Sequence, residues 1–337
     1  MLTFPSTQEI THIVRNTVTD PTRYIGAQFC PIVDVFSRRI EVDVLEATTG
    51  MTAPHNLNAP AAMVKQLSGQ STKIMATAYW KEAYRINEEE LLFAREEGTY
   101  NKRAGRLRVV RRATELNTRL ETRIEWLRWQ PLVGGKVAID ENNVKYTVDY
   151  KVPSRNKPSL DWSDPNHDVI ADIEDLLLLF RGTGAKGKTV YLNHGVAKAL
   201  ATNEKVRNLL SRSQYANTLS PRTVVMAMNM LFPELEWKLY DEGYGDGKGN
   251  FVSFLPDDQL VILGQGAPGE KLMDFATTIS LANGGLDNPQ PGKFSMIVDK
   301  SMETNPFVDI TVGIYGLPRV FHPDWIVSSK ITLPTYS

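Results

Sequence analysis

The stretch that most limits how this chain can fold is residues 102–129. Val109, Ala113, Leu116, Leu120, Ile124 and Leu127 step by four, three, four, four and three residues. That spacing lays a narrow apolar stripe along one helical face. Pro131 and the pair Gly134-Gly135 supply the expected stop. At ~1.5 Å per residue such a helix spans about 40 Å, more than the width of a small domain. A rod with one apolar stripe needs a sheet or another subunit to cover it. The segment is also basic: between Lys102 and Arg128 there are nine Lys or Arg against three Glu, a local net of +6, in a chain whose formal net charge is −1. Such a run is either a surface facing polyphosphate or a solvated face that pairs with acidic neighbours, and the second is the commoner case.

The 337 residues approach the upper size of one hydrophobic core, so two lobes or an extended shape are expected. Cys30 is the single cysteine, which leaves no intrachain disulfide and no cysteine cluster for zinc. The opening residues MLTFPSTQEITHIV lack the basic and apolar regions of a signal peptide. No apolar run approaches the ~20 residues that cross a bilayer. The expectation is a soluble product made in the cytosol, with no membrane partner.

Along the chain, residues 1–37 read as an arm broken by Pro5, Pro21 and Pro31, with a short helix over 7–14. Residues 39–44 alternate cleanly, and so do 72–80; two such strands make a hairpin. Between them, TTGMTAPHNLNAPAAMVKQLSGQ proposes no core. A loop of that length is functional or is covered by another chain. Asn87, with Glu90 three residues on, is a helix-capping pattern, and the helix is expected to run to about Gly98. Residues 137–140 and 144–150 form a second hairpin, and 153–165 a polar connector holding Trp162. An α/β lobe follows over 168–295. It has a helix capped by Asp168, helices over 195–201 and 204–211, and a helix from Ser220-Pro221 to Phe232. Leu235, Trp237 and Leu239 then alternate as a strand. GYGDGKGN (243–250) makes a hairpin tip with too few carboxylates for a calcium loop. Residues 260–263 and 307–332 read as β.

One motif invites a chemical reading. Residues 182–189, GTGAKGKT, fit the phosphate-loop spacing G-x-x-x-x-G-K-[ST] at every position. A phosphate loop needs a strand feeding a glycine turn that opens a helix. Here the order is reversed. Val169, Ile173, Leu176, Leu177 and Phe180 make a helical face upstream, and Thr189-Val-Tyr-Leu192 reads as a strand downstream. Lys186 and Lys188 then read as solvated turn residues. Ser295-Met-Ile-Val-Asp299 resembles a magnesium-holding acidic strand too loosely to change this. The five histidines show no zinc-ligand spacing. His167, beside Asp164 and Asp168, fits a helix-entry connector better than a base with its orienter. The sequence assigns no catalytic, cofactor-binding or metal residue and is read as non-enzymatic. Its devices are architectural: an arm, a projecting loop, a rod helix and a discrete lobe, as in subunits that interlock.

Five stretches carry a family resemblance. They are RRIEVDVLEATTGMTAPHNLNAPAAM, STKIMATAYWKEAYRINEEELL and TRIEWLRWQPLVGGKVAIDENNVKYTVDYKVP, then WSDPNHDVIADI with KTVYLNHGVAKAL, and finally LPRVFHPDWIVSSKI. In this order the chain resembles the tailed-bacteriophage major capsid proteins typified by the phage lambda capsid protein E. The resemblance implies an α+β fold, the Hong Kong 97 capsid fold. It implies an N-arm over 1–37, an extended loop over 38–80, a peripheral domain over 81–165 with its spine helix near 100–130, an axial domain over 166–304, and a return to the peripheral domain over 305–337. It further implies hexamers and pentamers in an icosahedral shell around double-stranded DNA, a virion location after assembly in the host bacterial cytoplasm, and a scaffolding protein, a portal and a decoration protein as partners. The loop tip at 51–70 is the expected intersubunit contact. Lys65 and Lys73 lie in that loop, and no crosslink is assigned to them. The competing readings are an encapsulin-like nanocompartment shell, a P-loop NTPase using Lys188 and Thr189, and a nucleic-acid binder working through Lys102 to Arg128.

Overall fold

The computed structural model describes residues 5–17, 20–45, 70–76, 78–92, 102–141, 144–211 and 219–335. The loop tip at 51–69, the continuation of the helix toward Gly98 and the turn Asn142-Asn143 lie outside the described residues. The chain opens with α1 (Thr7–Asn16), β1 (Ile32–Val35), β2 (Arg39–Leu45), β3 (Gln70–Ala76), β4 (Tyr79–Asn87), α2 (Glu88–Leu92) and α3 (Lys102–Gly134). It continues through β5 (Lys136–Glu141), β6 (Val144–Asp149), β7 (Ser159–Asp161), α4 (Val169–Leu178), β8 (Lys186–Leu192), α5 (His194–Thr202), α6 (Glu204–Leu210) and α7 (Pro221–Leu231). It closes with β9 (Glu236–Leu239), β10 (Gly243–Gly245), β11 (Phe251–Ser253), β12 (Gln259–Gln265), β13 (Met273–Thr278), β14 (Phe294–Asp299), β15 (Phe307–Val320) and β16 (Ile326–Thr332).

Two compact units result. The first comprises residues 1–41, 74–128 and 274–319; the second comprises 42–73, 129–273 and 320–337. They cut across the regions the resemblance implies, because strands go where their hydrogen-bonding partners are. β14, inside 166–304, pairs with β15 in the first unit, whereas β16, inside 305–337, pairs with β12 in the second.

The first unit is organised around β15. It pairs antiparallel with β4 over Phe307–Tyr315 and with β14 over Val308–Gly313, and the sheet continues through β13 to β1. Val308, Ile310, Val312 and Ile314 alternate along β15 and are all buried, the period-two pattern of a strand with one face on a core. On β4 the residues registered with them are Ile86, Tyr84, Glu82 and Trp80. Glu82 and Tyr84 on that face meet side chains of α3, namely Arg119 and Arg112. The apolar stripe expected on α3 is buried throughout, from Val109 to Leu127. The helix itself passes through Pro131 and ends one turn later. There the Pro131 carbonyl accepts from the Gly135 N–H, and Gly135 takes φ +71°.

The second unit holds a five-stranded sheet in the order β7-β16-β12-β8-β9. β8 and β9 are parallel, and α5, α6 and α7 supply the long crossover that parallel pairing demands. The central strand β12 reads QLVILGQ and is almost wholly buried. Its Leu260 and Ile262 join Ile173 and Leu176 of α4, Leu200 of α5 and Val224 of α7 in one apolar cluster. The helix starts read from the sequence are built as capping chemistry requires. Asp168 accepts from the Ala171 N–H, and Ser220 and Thr223 form a reciprocal capping box with Pro221 at the first turn. The connector over 153–165 contains β7 and buries Trp162, whose indole N–H donates to Asp172 at 2.7 Å.

Candidate assembly surfaces

The phosphate-loop stretch lies between the end of α4 and β8. Gly182 and Gly184 take φ +81° and +78°, the left-handed turn that a helix C-terminus uses. β8 begins at Lys186, earlier than expected, so Lys186 and Lys188 are exposed strand residues rather than turn residues. Gly187 pairs with Gly264 on β12, and Thr189 is flanked by Leu263 on one side and Glu236 on the other. The backbone that would cradle phosphate is thus held in a sheet. A methyl group on Gly187 would meet Leu177 and Phe180, so this glycine faces apolar packing. The adjoining cleft, about 830 Å³, is lined by Leu177 and Leu178 at the end of α4 and by Leu231 at the end of α7. Two helix C-termini bring partial negative charge to it, the opposite of a phosphate site.

From Arg106 onward, the basic charge of α3 is largely matched within the chain. Arg106 reaches Glu9 at 2.9 Å, Arg119 reaches Glu82 at 2.6 Å, and Arg111 reaches Glu115 at 3.1 Å. Arg112 bridges Glu90 and Glu115, and Arg108 also reaches Glu90. Arg123 lies over the rings of Trp80 and Trp126. Hydrogen bonds from Arg112 hold the Glu115 carboxyl below its usual range. At Glu90 burial pushes the other way, but hydrogen bonds from Arg112 and Tyr84 outweigh it and the carboxyl is again lowered.

A second ridge of α3, one residue on from the apolar stripe, is polar and buried: Asn117, Glu121, Glu125 and Arg128. Glu125 accepts the Gly26 N–H at 2.8 Å and Arg128 at 3.2 Å. A Cβ at Gly26 would lie 2.6 Å from a Glu125 carboxylate oxygen, so a side chain there would have to displace the buried Glu125–Arg128 pair. Glu121 pairs with Lys293, whose ammonium burial pushes down to about 8, leaving it charged at neutral pH. In the same unit, Arg319 on β15 grips the buried Asp274 on β13 through two hydrogen bonds of 2.7 Å. The sequence reading missed this ridge. Its signal was the 117, 121, 125, 128 spacing beside Leu116, Leu120, Ile124 and Leu127.

The sheet face opposite α3 is partly exposed along β4 and β14. It carries Tyr79 stacked on Tyr315 at 3.9 Å, Arg85 paired with Asp309 at 2.7 Å, and Met296 and Val298, each about two-fifths exposed. The outer edge of β14 is covered by α1. Thr7 Oγ1 accepts from the Ile297 N–H at 3.4 Å, and Thr11 Oγ1 accepts from the Ser295 N–H at 3.2 Å. Arg15 donates to the carbonyls of Lys293 and Pro291, both at 2.8 Å. The match is geometric. Four residues of helix rise ~6 Å and two residues of strand ~6.6 Å, so every fourth residue of α1 meets every second residue of the strand.

The family comparison decides what these surfaces belong to. The model for phage major capsid protein E matches residues 6–330. The chain belongs to the phage major capsid protein E family. Among solved structures, the putative capsid protein of a prophage of E. coli CFT073 superposes with a TM-score of 0.65 at 16% identity, covering 98% of this chain and 99% of that one. A phage-related protein from Bordetella bronchiseptica RB50 gives 0.58 at 10% identity, covering 99% and 100%. A subunit of the bacteriophage PhiM1 mature capsid gives 0.53 at 8%, covering 94% and 89%. At these identities the likeness shows the fold, which is the α+β Hong Kong 97 capsid fold.

This capsid family member is a structural component of the virion, built by association of many copies into a shell, and the nanocompartment alternative is not favoured. His167 does not meet Asp164 or Asp168 as a base with its orienter would. Its Nε2 lies 2.8 Å from Asp172, on the same oxygen that accepts from Trp162, which ties the connector to α4. Among the described residues no group of three or more His, Cys, Asp or Glu is placed to hold a metal ion. No described helix is long and apolar enough to cross a membrane.

Proposed function

We propose that this capsid protein forms the hexamers and pentamers of an icosahedral tailed-phage head around double-stranded DNA. The observation that carries the reading is the family match over 6–330 on a chain with the capsid fold. In this reading α3 is the spine helix, residues 38–80 are the extended loop, and residues 1–37 are the N-arm. The first unit supplies the peripheral domain, and the second, which holds residues 166–273 of the 166–304 region, supplies the axial domain. The half-exposed Met296 and Val298, on the same sheet face as Tyr79, offer an apolar face for a neighbouring subunit. Packaged DNA is contacted non-specifically. Scaffolding protein and portal are its assembly partners in the host bacterial cytoplasm. The chain performs no catalysis.

Negative-stain electron microscopy of the purified full-length chain tests this. Closed shells, tubes or free hexamers and pentamers are expected. A uniform monomer, persisting when the chain is produced together with its scaffolding partner, contradicts it. Deleting residues 51–69 is expected to leave a folded chain that no longer assembles, and normal shells from that deletion contradict the role given to the loop. An ATPase activity abolished by Lys188→Ala would restore the nucleotide reading.

A further inference from the structure

β14 is an edge strand whose outward backbone groups are met by side chains instead of by another strand. Thr7, Thr11 and Arg15 together take up the Ile297 and Ser295 N–H groups and the Lys293 and Pro291 carbonyls. A strand edge left open pairs with whatever extended backbone it meets. β14 invites this, since SMIV (295–298) is rich in residues that favour strands. α1 covers the edge, held beyond these hydrogen bonds by two apolar side chains and by the exposed Arg106–Glu9 pair. Ile10 and Val14 are its only buried residues, and most of its other side chains face solvent. Its own start is secured locally by the Ser6–Glu9 capping box, so the helix can leave β14 without losing its N-terminal cap.

We propose that α1 is a removable cap on β14: while it is docked the sheet accepts no further strand, and when it leaves, the β14 edge pairs with an extended segment of a second copy of this chain. The second copy is the natural occupant because the family builds shells from many identical chains; in that respect the inference rests on the shell reading. Edge pairing draws its affinity from main-chain hydrogen bonds, which any extended segment can supply. It gives the chain a way to hold one face closed until a neighbour is in place.

The test uses the full-length chain carrying Thr7→Val, Thr11→Val and Arg15→Met, which removes the capping groups and keeps side-chain bulk. Amide hydrogen exchange over 293–298 is expected to rise roughly tenfold over the parent, as loss of several hydrogen bonds implies. Sedimentation velocity is expected to show added association that microscopy finds irregular. Adding Ile297→Pro should return sedimentation to the parent profile. The Ile297 N–H points to α1 and not to β15, so proline there blocks only the outer edge. The single variant Arg15→Met, which drops only the two carbonyl contacts, should shift exchange in the same direction by less. Unchanged exchange, no added association, or association that Ile297→Pro leaves intact each overturns the proposal. The shell reading is judged separately, on the particles formed by the parent chain.

Discussion

In the second unit the buried cluster around α4, α5 and α7 is apolar throughout: Ile173, Leu200, Val224, Ile262 and Val327 are representative. In the first unit the buried set includes Glu121, Glu125, Arg128 and Asp274. The difference is one of mechanism. Apolar burial is non-directional and scales with area. A buried charge contributes only when its partner is in place, and an unpartnered one is strongly destabilising. The partners in the first unit come from far along the chain: Gly26 for Glu125, Lys293 for Glu121, Arg319 for Asp274. The helix α3 thus selects which distant segments may lie against it, whereas the second unit needs only enough apolar surface at the right period. A spine that must bring the N-terminal arm and late strands into one register has reason to use the selective kind.

The comparison can be broken most sharply at Lys293. Lys293→Met leaves Glu121 buried without its cation and is expected to cost about 3–5 kcal/mol in urea unfolding. The double variant Lys293→Met/Glu121→Leu should recover most of that loss, because removing both charges removes the penalty. In the second unit, Leu200→Ala deletes fully buried apolar atoms and is expected to cost about 3 kcal/mol, with the same value at pH 5 and pH 7 (~1 kcal/mol of variation would already be too much). Gly26→Ala forces a methyl group against Glu125 and is expected to cost about 2 kcal/mol by overpacking. Amide exchange should rise around residues 24–30 first. The smallest effect belongs to the exposed pairs. Arg119→Gln, which frees Glu82 on the surface, should change stability by less than about 1 kcal/mol, an effect that fades further in salt.

Much of this was legible in the sequence where one element's own periodicity decides its structure. The α3 stripe from Val109 to Leu127, the α4 face from Val169 to Phe180 and the caps at Asp168 and Ser220 are local signals, and all are built as read. The misses share a cause. β4 continues to Asn87, well beyond the alternation ending at Trp80, because β15, more than two hundred residues later, gives it a ladder. The polar ridge of α3 looked like solvated charge because burial of Glu121 and Glu125 depends on Lys293 and Gly26, which nothing nearby announces. The α1 residues Thr7, Thr11 and Arg15 read as an ordinary polar face. Their use appears only once β14 lies beside them.

The central claim is that the first unit adds buried ion pairs to its apolar core whereas the cluster of the second is apolar alone, and acid separates the two. The Glu115 and Glu90 carboxyls are lowered below their ordinary value of 4.5 and that of Asp309 below 3.8, through Arg112 for the first two and Arg85 for the third. A carboxyl lowered in the folded state contributes stability that is complete above its unfolded value and is lost as pH falls through the folded one. The most direct measurement is peptide-resolved hydrogen exchange of the full-length chain, corrected for intrinsic rates, at pH 7 and at successive steps below roughly pH 4. The expected result is that protection over residues 79–87, 106–128 and 307–315 falls first, while residues 169–200 and 259–265 stay protected. Parallel loss in both units, or earlier loss in the second, would contradict the account.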